Sequence, residues 1–155
     1  VRSRRQRQMC IRDRFLCLLI LNVQLLNAED KFLSLKKNKT NVRYGPGLDY
    51  PIKYIYRKVN LPVKQIDTKE NWRRVIFLDN NSGWIHLSQL KSANSIITVE
   101  EKVLFKKPSN FSEPLAKLEK GRLLVIKKCE GNWCNVTTSN YKGWVKIKNV
   151  WGSTK

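Results

Sequence analysis

Slid along itself by 60 or 61 residues, the chain meets a second copy of its own pattern. Asn71-Trp72 falls on Asn132-Trp133, Val75 on Val136, and Gly83-Trp84-Ile85 on Gly143-Trp144-Val145. A repeat of that length means two small units in tandem. The first runs from residue 31 to 90 and the second from 96 to 152, with the polar Lys91-Ser92-Ala93-Asn94-Ser95 as a short joint. Both consist of short β-branched and aromatic runs between Gly, Asn and Pro, with no helical period, so the fold class is all-β. The stretch 142–148 shows the strand period directly. Val145 and Ile147 share one face while Trp144, Lys146 and Lys148 share the other.

The richest single stretch is Asn41-Val42-Arg43-Tyr44-Gly45-Pro46-Gly47-Leu48-Asp49-Tyr50-Pro51-Ile52. Pro46 fixes φ and removes a donor, and the flanking glycines are expected to use backbone angles closed to other residues, so a strand ends at Arg43. Tyr50 before Pro51 is pushed towards extended backbone, opening a second run in which Tyr54 and Tyr56 alternate against Ile55. Downstream come Leu61-Pro62-Val63, Asn71-Trp72-Arg73-Arg74-Val75 and Gly83-Trp84-Ile85.

In this order and spacing the loop and the three later pieces resemble a bacterial SH3 domain. The second unit replaces the Gly-Pro-Gly loop with Lys106-Lys107-Pro108-Ser109-Asn110 and closes on Val150-Trp151-Gly152, which is similar to the end of exported tandem SH3-like proteins. The resemblance implies two tandem small SH3-like β-barrels. It departs from the family at Ile76 and Phe77, where members often carry an acidic residue. It also implies a shallow groove of aromatic side chains beside the first loop, with Tyr44, Tyr50, Tyr54, Tyr56 and Trp84 as the ligand-binding set. Trp72 and Trp133, aligned copies on central strands, are expected in the core.

Residues 1–14 carry six Arg and no Lys, against five Arg and twenty Lys in the rest, and include Gln8-Met9-Cys10-Ile11-Arg12-Asp13, which is similar to a translated sequencing adapter. They are set aside as foreign sequence, a basic leader segment being the alternative. Residues 15–28 have the apolar run and charged exit of a signal peptide, cut after Ala28. The run is shorter than the roughly 20 residues that cross a bilayer, so no stable membrane span is expected. Without residues 1–28 the chain keeps 25 basic and 11 acidic side chains, a net charge of +14. Such a field attracts anionic partners, yet export argues against nucleic acid as the target.

Catalytic and metal chemistry find few residues to use. His86 is the only histidine and has no nucleophile beside it, Asp67, Glu70 and Asp79 sit around turns among basic residues, and no phosphate-binding glycine loop leads into a helix. No enzyme activity, cofactor or metal is therefore expected. Cys129 and Cys134 flank a hairpin tip at a spacing that suits a structural disulfide, a free pair or a redox or metal role being the alternatives.

By resemblance the protein is a non-catalytic binding module of the cell envelope, exported or periplasmic, whose partner is peptidoglycan or its stem peptides. Two modules would raise avidity. The alternative is a protein-interaction or scaffold subunit that recognises a peptide of an envelope enzyme.

Overall fold

The computed structural model describes residues 30–153; the adapter-like segment 1–14 and the segment 15–28 expected to be a signal peptide lie outside the described residues. The first unit comprises β1 (Phe32–Leu35), β2 (Thr40–Arg43), β3 (Ile52–Tyr56), β4 (Pro62–Lys69), β5 (Trp72–Ile76), β6 (Ser82–His86), a 3-10 turn at Leu87–Gln89 and β7 (Leu90–Ser92). The second comprises β8 (Ser95–Thr98), β9 (Lys102–Phe105), β10 (Pro114–Leu118), β11 (Leu123–Glu130), β12 (Trp133–Thr138), β13 (Tyr141–Lys146) and β14 (Val150–Gly152). Every pairing is antiparallel, and the sheet orders β3-β2-β6-β5-β4-β1-β7 and β10-β9-β13-β12-β11-β8-β14 are the same order shifted by seven strands. The sequence repeat is thus a repeat of topology. Among the described residues no helix is long and apolar enough to cross a membrane.

Each sheet wraps its own core. Leu35, Val42, Val63, Val75, Phe77, Ile85 and Leu90 fill the first, and Ile96, Leu104, Leu118, Leu124, Cys134, Val136 and Val145 the second. The two units also share register defects. The β4–β5 ladder slips at Ile66 and the β11–β12 ladder at the corresponding Lys127, adding twist that lets a small sheet curl over so few residues.

Gly-Trp marks the place where the sheet closes on itself. A Cβ on Gly83 would lie 2.4 Å from Val42 Cγ1 and 2.9 Å from the Arg43 carbonyl oxygen, and one on Gly143 would lie 2.7 Å from the Phe105 oxygen. β2 crosses β6, and β9 crosses β13, at single register points, Arg43 with Trp84 and Phe105 with Trp144. Only glycine lets the backbones approach so closely. Gly45 and Gly47 act differently from expectation. Neither has φ in the left-handed region, and the reason for glycine at both is room: Tyr50 folds its ring back over them, 2.3 Å from where a Gly45 Cβ would stand.

Of the two tryptophans expected in the core, Trp72 is buried, whereas Trp133 is half-buried on the outer face. β5 turns Val75 inward, and Trp72, an odd number of residues away, lies on the opposite face. It is nonetheless 8% exposed, because the His86 ring covers it edge-on at 5.2 Å. In β12 the inward residue is Cys134, so Trp133 faces outward, half-buried, with Lys146 Nζ 5.8 Å from its ring centre.

Cys129 and Cys134 are directly opposite across β11 and β12, with Cα atoms 4.0 Å apart, and are joined as a disulfide. The same register point in the first unit is Thr68 opposite Arg73. There the hairpin end is tied instead by the Arg73 guanidinium, which donates to the carbonyl oxygens of Glu70 at 2.8 Å and Trp72 at 2.9 Å. The turns differ too: Glu70 is held at φ 48° where the second unit has Gly131 at φ 56°. Glu70→Gly is accordingly expected to stabilise the protein by about 0.5–1 kcal/mol, since the left-handed penalty of a side chain exceeds the entropy cost of glycine. The midpoint of urea unfolding reads this directly, and a lower midpoint would contradict it.

The polar joint is a packed seam. Ser34 and Ser95 are fully buried; Ser34 Oγ donates to Ser95 Oγ at 2.9 Å, which donates to the Asn60 carbonyl at 2.5 Å. Asn94 N–H donates to Ser34 Oγ, Trp151 Nε1 donates to the Pro62 oxygen at 3.2 Å, and the Trp151 ring meets Phe32 edge-on at 5.3 Å. The Ser95 hydroxyl, part of the polar joint in sequence, and that of Ser34 in β1 satisfy one another across the boundary between the units.

Candidate functional site: a cationic groove beside the first loop

The loop from Tyr44 to Pro51 is built back onto β2 by Arg43. Its Nη1 donates to the carbonyls of Leu48 at 3.1 Å and Tyr50 at 2.6 Å, while Tyr44 N–H donates to the Pro51 oxygen at 3.2 Å. The held loop forms one wall of an open groove of about 370 Å³ lined by Arg43, Tyr44, Lys53, Arg74, Ser82, Gly83 and Trp84. Lys53 sits at the register slip between β2 and β3, where the bulge turns its side chain across the groove. Its ammonium donates to the Ser82 oxygen at 3.1 Å and lies 5.5 Å from the Tyr44 ring centre and 5.2 Å from that of Tyr54.

Three cations and two aromatic side chains therefore face one concavity, and no carboxylate lines it. Tyr44 is 62% exposed at the mouth, with Lys53 over its ring. Trp84 is half-buried, flanked across the ladders by Arg43 and Arg74. Chemically the groove offers donors and positive charge to an anionic or carbonyl-rich ligand and flat faces to a sugar ring or a peptide side chain.

The five aromatics marked by the sequence fall in three places. Tyr44 and Trp84 line the groove. Tyr50 is 43% exposed, but its ring is the filling of the loop. Tyr54 and Tyr56 both turn towards the core face of β3, opposite Val42 and Thr40. Tyr54 hydrogen-bonds Asn81 at 3.2 Å, and Tyr56 stacks on Phe77 with ring centres 3.9 Å apart. Burial, and then the charge of Asp79, push the Tyr56 phenol above its ordinary range, so it stays a donor towards that carboxylate. The cations Arg43, Lys53 and Arg74 were the part that sequence reasoning missed; only the register slip at Lys53 and the Arg74–Trp84 pairing bring them together.

The second unit does not repeat the side chains of this groove. Register places Phe105 where Arg43 stands, Asn135 where Arg74 stands and Leu115 at the bulge position of Lys53. Trp144, the partner of Trp84, is 8% exposed under the Lys128 ammonium, 5.2 Å from its ring. His86 is likewise a structural group: its Nδ1 meets Ser88 Oγ at 2.8 Å at the start of the 3-10 turn.

Comparison with known proteins bears on the fold that carries this groove. Among solved structures, NlpC2 and NlpC1 from Trichomonas vaginalis are similar, each at 13% identity and a TM-score of 0.36 over 78% of this chain. The chain spans 47% and 45% of their lengths. No curated protein matches it. The family model described as bacterial SH3 domain matches twice, over residues 36–91 and 98–152, and covers most of the chain. With two matched copies and one strand order used twice, the chain belongs to the bacterial SH3 domain family.

Proposed function

We propose that this protein is a non-catalytic binding module of the cell envelope and takes peptidoglycan or its stem peptides in the groove of the first unit. The observation that carries this reading is the groove's composition: Arg43, Lys53 and Arg74 with Tyr44 and Trp84, and no acidic side chain among its lining residues. Stem peptides bring carboxylates and amides to the guanidinium and ammonium groups, and glycan rings bring flat faces to Tyr44. An exported location fits the Cys129–Cys134 disulfide, which persists in oxidising compartments.

Cosedimentation of the protein with purified sacculi at ~0.15 M and ~0.5 M salt tests the reading, because added salt removes long-range attraction and leaves groove contacts. Binding is expected to survive the higher salt. Tyr44→Ala and Arg74→Glu, both on exposed side chains, are expected to weaken it by about tenfold or more with an unchanged circular dichroism spectrum. Retained binding in both variants would overturn the assignment, and binding lost to salt alone would reduce it to net charge. Tyr50→Ala is expected to lower the melting temperature first, since it removes the ring that packs the loop.

A further inference from the structure

A second concavity lies where the two units meet. Tyr56, Leu61, Phe77 and Leu78 of the first unit and Ile97 of the second line an apolar cleft of about 240 Å³, with Asp79 at its edge. It is separate from the cationic groove and shares no lining residue with it. The seam of Ser34, Ser95, Asn60 and Trp151 fixes the units against each other, so the walls are held in place. Leu78 is 39% exposed although it stands over a cleft already lined by apolar side chains.

Asp79 gives the cleft a polarity opposite to the rest of the molecule. Its carboxylate accepts from Asn81 N–H at 3.1 Å, Asn81 Nδ2 at 2.7 Å and the Tyr56 hydroxyl at 3.5 Å, all neutral donors. Among the described residues it forms no salt bridge, as is also true of Asp49, Asp67, Glu70 and Glu119, whereas Asp30, Glu100, Glu101, Glu113 and Glu130 are each bridged to a lysine. A carboxylate has room for about four donors, so one position remains for an outside group. In a chain with so many lysines an acid oriented by neutral donors and left without a cation is charge-complementary to a basic ligand.

We propose that this cleft is a docking site for a peptide segment of a protein partner, taking one branched aliphatic side chain against Leu61 and Leu78, above the buried Phe77 and Ile97, and the ammonium of an adjacent lysine at Asp79. The volume is below the roughly 300 Å³ of small-molecule pockets and suits a single side chain. The stacked Tyr56–Phe77 pair forms a rigid floor, and recognition divides into an apolar anchor and a charged neighbour that sets direction.

The test is a methyl and amide NMR titration of the full chain with acetyl-Leu-Lys-amide and acetyl-Leu-Glu-amide. The lysine peptide is expected to move the Leu78 and Ile97 signals saturably, with a Kd of the order of millimolar and about fivefold tighter than the glutamate peptide. That order is diagnostic, because the protein's overall positive charge by itself favours the glutamate peptide. Asp79→Asn is expected to abolish the preference while the remaining spectrum stays folded. The proposal is overturned by unsaturated shifts up to about 20 mM, by equal or reversed affinities in the parent protein, or by shifts confined to the Tyr44–Trp84 groove. Should Asp79→Asn fail to fold, the comparison of the two peptides on the parent protein still decides.

Discussion

Gly83→Ala is expected to destabilise the protein by about 3 kcal/mol, the upper range for overpacking, and to weaken ligand binding with it. The added methyl meets Val42 Cγ1 at 2.4 Å and the Arg43 carbonyl at 2.9 Å. Val42 is fully buried and has no free direction in which to move, and the Arg43 oxygen belongs to the strand that anchors the loop. β2 must therefore lift from β6, which shifts Arg43 away from Trp84 and opens the groove. A double-mutant cycle separates the two contacts. Val42→Ala removes the side-chain clash and leaves the backbone one, so Gly83→Ala should cost at least about 1 kcal/mol less in that background. Gly121→Ala provides the contrast. Its φ is +82° and a Cβ there meets nothing within 4 Å, so its cost of about 1 kcal/mol comes from backbone conformation alone. Urea unfolding of the four variants measures all of this. Equal costs at Gly83 and Gly121 would show that close approach of the strands is not what glycine serves at the Gly-Trp site.

The same comparison shows which features were legible in the sequence. Gly-Trp repeats because a backbone crossing requires it twice, and a requirement met twice leaves a visible period. The all-β class and the tandem arrangement follow from that period and from short apolar runs too brief for helices. What escaped was whatever depends on register. Trp72 and Trp133 read as core because large aromatics are usually inside; Trp72 is buried as expected, while Trp133, an odd number of residues from the inward Val136, is half-buried on the outer face. Ser95 read only as part of a polar joint, because a hydroxyl gives no sign of its partner in sequence. The partner here is the Ser34 hydroxyl, 61 positions away. The groove was half legible: the aromatics signalled themselves, while its cations were hidden among two dozen other lysines and arginines of a basic chain.

Reduction of the Cys129–Cys134 disulfide, or Cys129→Ser, is expected to remove about 2 kcal/mol, the chain-entropy value for so short a loop. The cysteines face one another across the ladder, and Cys134 is fully buried in the core, where a free thiol remains an acceptable apolar group. How the loss appears in a melting curve depends on the seam between the units. If the second unit melted alone, about 2 kcal/mol spread over some 60 residues would lower its transition by roughly 15 °C and leave the first unit untouched. The buried Ser34–Ser95–Asn60 hydrogen bonds and the Trp151 contact with Phe32 and Pro62 argue for one cooperative unit. The entropy of unfolding is then about twice as large, and the expected outcome is a single transition lowered by about 7 °C. Calorimetry with and without reductant distinguishes the cases. Two separated transitions in the reduced protein would show that the seam does not couple the units, and an unchanged melting temperature would mean that the cross-link constrains nothing the hairpin does not already fix.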